Sequence, residues 1–196
     1  MRILMMTNSY LPVVGGLERS ILSFTEAFRR QGHRVVVVAP TFSGMPMYER
    51  DVLRVPAIEH VTRYDFSLRM PLPQRMLRRI EAIKPQIVHA HHPFFMGATA
   101  LRLARAFNVP LIFTHHILFE QYMHYLPLDV PSTRRFVEEV STAYANLSDQ
   151  VFAPSESLAA NLRAHGVVRP IAIVPTGVAV QDFARANAAA GRRILG

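Results

Sequence analysis

Clustered histidines are the residues of this chain whose types and spacing could do chemistry. The chain has nine histidines, and two short segments, HAHH and THH, hold most of them. Because His89 and His91 alternate, we expect their side chains on one side of an extended segment and that of His92 on the other. Two such rings could bind a metal, but no nearby aspartate or glutamate completes a hydrolytic metal site. The alternatives are a hydrogen-bonded histidine at a strand end and, for one of His115 and His116, a ring that polarises a sugar hydroxyl or contacts a phosphate.

A pair of glycines is the second candidate. Gly15 and Gly16 follow an apolar segment and precede an amphipathic one. A loop that leads into a helix N-terminus offers unpaired N–H groups and a positive dipole end, which favour a phosphate, and glycine lets the phosphate approach closely. The segment matches neither the dinucleotide-binding fingerprint nor the P-loop. The alternative interpretation is a tight turn that requires a positive φ angle.

The elements that would position these residues alternate between strands and helices. Strands are predicted at 2–7, 34–40, 52–57, 86–90, 110–115, 150–155 and 170–177, and helices at 17–31, 73–84, 94–108, 131–147 and 155–166, the last capped by Ser155. Apolar runs such as RVVVVAP are typical of strands in a parallel sheet with helices on both faces. The order predicts an α/β fold with a doubly wound, mostly parallel, Rossmann-like sheet. Ligands of such sheets bind beyond the carboxyl ends of the strands, so the glycines, both histidine segments and the later PTG segment should share one rim.

Charge, hydropathy and cysteine content limit the partners and the location that the chain can have. The formal net charge of +8 suits phosphates, anionic lipid or nucleic acid, but no nucleic-acid-binding signature accompanies it, so we expect no nucleic-acid partner. No apolar run is long enough to span a membrane, and the first apolar stretch is too short for a signal peptide. The absence of cysteine excludes disulfides and thiolate chemistry and favours a cytoplasmic location.

A basic segment, residues 61–79, mixes arginines with apolar side chains. One interpretation is a membrane-surface patch, with apolar groups at the headgroup boundary and arginines on anionic lipid. The other is a solvated helix face followed by a loop packed on the core. The candidate membrane contacts are Arg69, Arg75, Arg78 and Arg79.

Five segments, in order, resemble the N-terminal domain of GT-B glycosyltransferases of family 4. They read P-x-x-G-G-x-E at 12–18, IVHAHHPFFMG, PLIFTHH, VFAPSESLAANLRAHGV and IAIVPTGVAVQDF. The stretch THHILFEQYMHYL further resembles diacylglycerol glucosyltransferases, although Ile117, Phe119 and Gln121 depart from that pattern. The first loop also has Gly-Gly where Asn-Gly is often found.

The resemblance implies a Rossmann-like acceptor-side domain at residues 1–178. Residues 179–196 would begin a linker to a C-terminal donor-binding domain that is absent from the sequence. The implied reaction is retaining transfer of a hexose from a nucleotide sugar, UDP-glucose in the first place, to a lipid acceptor such as diacylglycerol. No metal or other cofactor is required in this family. The implied location is cytoplasmic, with peripheral contact to the anionic inner face of the cytoplasmic membrane.

Roles for individual residues follow from the same resemblance. His116 would be catalytic beside the transferred sugar, and Gly15 and Gly16 would face the donor diphosphate. Candidates for the acceptor and sugar cleft are Asn8, His91, Glu120, Tyr122, His124, Tyr125 and Thr176. Because half of the clamp on the leaving diphosphate would be absent, the isolated chain is expected to fold without turning over.

Three other functions stay open on the sequence. One is a non-catalytic binding or docking module that pairs with a separate donor domain. Another is a glycosyltransferase with a non-lipid sugar acceptor. The third is a metal-dependent hydrolase that uses His89, His91 and either His115 or His116.

Overall fold

The structure is a computed structural model. The part of the chain that it describes contains nine strands and five helices. That part comprises residues 1–46, 48–58, 68–69, 72–119, 121, 130–178 and 180. The strands are β1 Arg2–Met6, β2 Arg34–Pro40, β3 Val52–Val55, β4 Ala57–Ile58, β5 Leu68–Arg69, β6 Ile87–Ala90, β7 Leu111–Thr114, β8 Gln150–Ala153 and β9 Ile171–Ile173. The helices are α1 Gly16–Arg30, α2 Gln74–Ile83, α3 Met96–Phe107, α4 Pro131–Leu147 and α5 Glu156–Ala164.

Seven of the strands form one parallel sheet in the order β3-β2-β1-β6-β7-β8-β9. The chain first builds outward from β1 to β3 and then returns to the other side of β1. The sheet therefore has a topological switch point between β1 and β6, where open α/β sheets bind their ligands. The predicted α/β fold is confirmed. The antiparallel pair β4–β5 was not predicted.

One face of the sheet carries the larger apolar core, to which α2, α3, α4 and α5 all contribute. Met76, Ile80 and Ile83 are the buried residues of α2, at the spacing of one helix face. At the start of α3, the Tyr144 hydroxyl donates a hydrogen bond to the Gly97 carbonyl at 2.9 Å. Gly97 packs so closely that a Cβ there would clash with the His92 carbonyl oxygen, so only glycine fits.

The opposite face carries α1, which packs on β1 and β2. Ile21 of this helix is fully buried with Met5 and Val37 in a smaller apolar cluster. The helix stops at Arg30, and Gly32 follows with a φ of +80°, a backbone conformation that glycine adopts without strain. We call these two sides the core face and the α1 face.

A half-buried ion pair connects the edge of the sheet to the loop after β1. The Arg54 guanidinium donates to the Glu49 carboxylate at 2.6 Å from both Nε and Nη2. The same Nη2 donates to the Leu11 carbonyl at 2.6 Å, and Nη1 donates to the Pro40 carbonyl at 2.9 Å. Arg54 thereby fixes the loop that leads to Gly15.

Candidate functional site

The loop after β1 is joined to the start of α3 by one side chain. The side-chain Oδ1 of Asn8 accepts from the Met96 N–H at 3.1 Å, and its Nδ2 donates to the Phe94 carbonyl at 3.2 Å. The Asn8 backbone N–H donates to His92 Nδ1 at 3.2 Å. Asn8 therefore lies in the loop beyond the carboxyl end of β1, where its side-chain amide binds the Phe94 carbonyl and the Met96 N–H at the start of α3.

A row of imidazole rings lies at the carboxyl ends of β6 and β7. His89 and His91 are buried on the α1 face, as their alternation predicts, with ring centroids 4.2 Å apart. His91 Nδ1 lies 2.9 Å from His116 Nε2, and the two rings are stacked at 5.2 Å. His89 Nε2 lies 2.7 Å from the Thr114 hydroxyl. We call His89, His91 and His116 the histidine row.

The other two histidines of these segments lie on the core-face side. His92 lies 6.1 Å from the Phe119 ring, centroid to centroid, and Phe119 belongs to the large core. His115 is buried between Phe113 and the same Phe119 ring, at 5.4 Å and 5.2 Å. Of the adjacent pair, His115 packs on the core and His116 contacts His91, so the two rings point to opposite sides, as the sequence allows for one of them.

Burial keeps these rings neutral. Desolvation, with a smaller contribution from the charge of His116, lowers the pKa of His89 to about 3. Desolvation and the neighbouring His115 lower the pKa of His116 to about 3, and desolvation alone lowers that of His115 to about 4. Desolvation, followed by the surrounding histidines, takes the pKa of His91 well below its ordinary value. At neutral pH the row therefore offers hydrogen bonds and no charge.

Helix α1 covers the histidine row and also contacts the PTG segment. The Phe24 ring lies 5.7 Å from the His89 ring and 6.3 Å from the His91 ring, measured between centroids. One turn earlier, the buried Ser20 hydroxyl accepts from the Thr176 hydroxyl at 3.3 Å. Thr176 and the histidine row are thus brought to the same helix, as their shared rim predicts.

The glycine pair begins α1 without an unusual backbone conformation. Gly15 is the N-cap with a φ of −151°, and Gly16 is the first helical residue, so the interpretation as a turn with positive φ is wrong. The Glu18 carboxylate lies over Gly15, where an added Cβ would be 2.6 Å from its Oε2. A Cβ at Gly16 would meet nothing within 4 Å. A negative ligand at this helix end would therefore meet open space at Gly16 and a buried carboxylate at Gly15.

Several neighbours of the site were missed by the sequence reasoning. Sequence patterns give Ser20, Phe24, Thr114 and Glu18 no individual role at the site. Nothing in local spacing marks them, because their contacts with the row or the rim depend on the tertiary fold. Among the acceptor candidates, Glu120, Tyr122, His124 and Tyr125 lie outside the described residues, as does the Arg69 side chain.

Metal binding finds no geometric support in the described part of the chain. No group of three or more histidine, cysteine, aspartate or glutamate side chains there could hold an ion. In the histidine row the rings of His89 and His91 lie over one another with an interplanar angle of 33°. One nitrogen of each already has a hydrogen-bond partner, Thr114 for His89 and His116 for His91.

Basic side chains occupy a separate surface. Arg75, Arg78 and Arg79 are exposed on α2, opposite the side of that helix that enters the core. A surface cavity of about 680 Å³ is lined by Arg79 of this helix and by Arg34 of β2. It opens near the amino ends of β2 and β3, away from the histidine row. Within the described ranges, no helix is long and apolar enough to cross a membrane.

Comparison with known proteins gives consistent results. The family model of Glycosyltransferase Family 4 matches residues 14–182. Alpha-monoglucosyldiacylglycerol synthase of Streptococcus pneumoniae is 26% identical over 186 residues, which cover 94% of this chain and 42% of that protein. A GDP-mannose-dependent alpha-mannosyltransferase of Mycobacterium tuberculosis is 30% identical over 189 residues, which cover 93% of this chain and 49% of that protein. The chain thus spans about half the length of the curated relatives it matches.

Solved structures agree on the fold. Sucrose-phosphate synthase from Thermosynechococcus elongatus superposes with a TM-score of 0.63 at 18% identity, over 92% of this chain and 49% of that one. The seven-stranded parallel sheet is the Rossmann-like sheet of GT-B glycosyltransferases. With the family match covering most of its length, the chain belongs to glycosyltransferase family 4.

Proposed function

We propose that this glycosyltransferase domain is the acceptor side of a retaining enzyme that transfers glucose from UDP-glucose to diacylglycerol. The observation that carries the proposal is the neutral histidine row at the switch point, joined to Thr176 through α1. The names of two relatives support the acceptor: alpha-monoglucosyldiacylglycerol synthases of Streptococcus pneumoniae and Acholeplasma laidlawii match 94% and 95% of this chain.

The chemistry of the row fits contact with a sugar better than contact with a diphosphate charge. A neutral His116 can exchange hydrogen bonds with a sugar hydroxyl but cannot neutralise a phosphate oxygen. At the start of α1, backbone N–H groups beside Gly16 supply partial positive charge, and the Glu18 carboxylate works against it. Most of the positive charge on the leaving diphosphate must then come from a donor-binding half outside this domain.

If the charged contacts to the diphosphate lie in a donor-binding half outside this domain, the 196-residue chain alone should not transfer sugar. The purified protein, incubated with UDP-glucose and diacylglycerol vesicles, should give no glycolipid above the protein-free control. No metal or cofactor is part of the proposal. Measurable turnover by the chain alone would show that the domain holds a complete donor site.

The acceptor can be tested by a chimaera. We would fuse the second half of the Streptococcus pneumoniae synthase after residue 178 of this chain and supply UDP-glucose. In the proposal this chain binds the acceptor, so diacylglycerol in vesicles should be glucosylated. A matched chimaera with His116→Leu should lose that activity, since it removes the ring proposed to contact the sugar.

A mannosyltransferase is the second candidate, because the GDP-mannose-dependent relative is 30% identical, above the 26% of the first glucosyl relative. A second chimaera, with the donor half of the Mycobacterium tuberculosis enzyme and GDP-mannose, tests it. Product from this chimaera on a non-lipid sugar acceptor, with none on diacylglycerol, would replace the lipid proposal. Folded chimaeras that transfer nothing to any acceptor would favour a non-catalytic docking module.

We further propose that the exposed arginines of α2 contact anionic lipid. Each arginine near such a surface contributes on the order of 1 kcal/mol, so replacing Arg75, Arg78 and Arg79 by glutamine should weaken binding to phosphatidylglycerol vesicles roughly 100-fold. Binding by the unmodified chain should also fall with added salt. The matched control replaces exposed arginines on other helices, Arg102, Arg105 and Arg163, and should bind nearly as the original does. Equal loss in both triple variants would mean that net charge acts without a localised patch.

A further inference from the structure

The contact between His91 and His116 contains an asymmetry. His91 is fully buried, and its Nε2 has no hydrogen-bond partner among the described residues. Its Nδ1 lies 2.9 Å from His116 Nε2. His116 is only partly buried, and the bond to His91 is the one hydrogen bond that the described residues give its ring.

A neutral imidazole carries its proton on one nitrogen, and the partners of the two nitrogens decide which. If the His91 proton were on Nε2, it would be a buried N–H without an acceptor, which is rare and unfavourable. If it is on Nδ1, it is donated to His116 Nε2, and only a lone pair on Nε2 stays unpaired. The lowered pKa of His91 agrees with a single proton on this ring.

We propose that His91 is a positioning residue that fixes the protonation of His116. His91 Nδ1–H donates to His116 Nε2, so the single proton of the neutral His116 ring must be on Nδ1. A solvent-exposed imidazole favours the other form, with the proton on Nε2, and the bond to His91 reverses this preference. His116 then presents a fixed N–H donor, suited to the oxygen of a sugar hydroxyl.

The value of that donor rests on the proposed role of His116 beside the transferred sugar. The protonation state itself does not, because it can be measured without any sugar. The protonation of His116 and its role beside the sugar can therefore be contradicted independently of each other.

The experiment is nuclear magnetic resonance of the histidine nitrogens in the ¹⁵N-labelled 196-residue protein at neutral pH. In the unmodified protein, His116 Nε2 should resonate as an unprotonated nitrogen and Nδ1 as a protonated one. A scalar coupling across the hydrogen bond should connect His91 Nδ1 to His116 Nε2. Protonation of His116 at Nε2 in this sample would overturn the proposal without any variant.

Variants at position 91 separate positioning from packing. The amide of His91→Asn reaches the place of Nδ1 and can still donate, so the His116 proton should stay on Nδ1. His91→Leu keeps bulk but removes the donor, so the proton should move to Nε2. The control Thr114→Val removes the hydroxyl beside His89 and should leave His116 unchanged. The same His116 protonation in the leucine and asparagine variants, with native-like amide spectra, would overturn the proposal.

Discussion

The two faces of the sheet differ in what the same strands place on them. On the core face, β6 and β7 contribute Val88 and Phe113, which are fully buried among apolar side chains from four helices. On the α1 face, the alternate residues His89 and Thr114 are just as buried but polar, and a single helix covers that side in the described part of the chain. Strand alternation thus lets one strand hold the fold with one set of side chains and build a site with the other. We therefore expect the stability of the fold to depend mainly on the core face, and the chemistry proposed above to depend on the α1 face.

Two phenylalanines on neighbouring strands give the largest test of this division. Phe113 on the core face is fully buried, whereas Phe152 on the α1 face is partly exposed beside His89. Phe113→Ala should lower the free energy of unfolding by about 3–5 kcal/mol. Phe152→Ala should cost about 1–2 kcal/mol, because less apolar area leaves water there. Urea denaturation at neutral pH measures both, and equal costs would contradict the division.

The entrance of α3 should be the next most sensitive place on the core face. Gly97→Ala puts a methyl group against the His92 carbonyl oxygen, which is backbone and cannot swing away. We expect a loss of about 1–3 kcal/mol in the free energy of unfolding, as for other overpacked sites. Ala98→Ser, on the exposed side of the same helix, is the control and should stay within about 0.5 kcal/mol. A tolerated Gly97→Ala would mean that α3 can move away from β6 without penalty.

Acid should destabilise the fold through its buried histidines, and His89 gives the contribution of the α1 face. Burial holds the pKa of His89 at about 3, while an unfolded chain protonates histidine near its ordinary value of 6.5. Between these values the unfolded state binds the extra proton, so stability falls as pH falls, by about 1.4 kcal/mol per pH unit for each such ring. Urea denaturation between pH 7 and pH 5 should show a slope that His89→Leu reduces, by close to one proton at the acid end of this range. Val88→Ala, from the core face, should lower stability at every pH and leave the slope unchanged.

The features of the two faces that depend on neighbouring residues in the chain could be predicted from the sequence. The apolar run RVVVVAP fixes a strand buried on both faces, and 131–147 is the observed extent of α4. The Ser155 hydroxyl accepts from the Leu158 N–H at 3.2 Å, as its place before a helix predicts. Period-two alternation was enough to place His89 and His91 on one side.

Contacts between distant segments were out of reach. His91 and His116 meet because β6 and β7 are neighbours in a particular register, which no spacing within either segment reveals. The pair β4–β5 was missed because strands of two residues leave no pattern to read. The position of Glu18 over Gly15 depends on a side-chain rotamer.

The smallest predicted effect concerns the glycines that begin α1. Gly16→Ala meets open space in a helical backbone, so it should leave stability unchanged or raise it by about 0.4–1 kcal/mol. Gly15→Ala displaces the Glu18 carboxylate from the helix N-terminus and should lose about 0.3–1 kcal/mol. In a Glu18→Ala background that loss should disappear, and a double-mutant cycle in urea measures the coupling.

A stable Gly16→Ala protein would show that glycine has different reasons on the two faces of the sheet. At Gly97 the fold itself requires glycine, because backbone occupies the place of a side chain. At Gly16 the fold would have no such requirement, and the proposed close approach of a ligand to the helix N-terminus would then account for the absent side chain. The affinity of a Gly16→Ala chimaera for UDP-glucose tests this explanation. An unchanged affinity would contradict the proposed contact of this loop with the diphosphate.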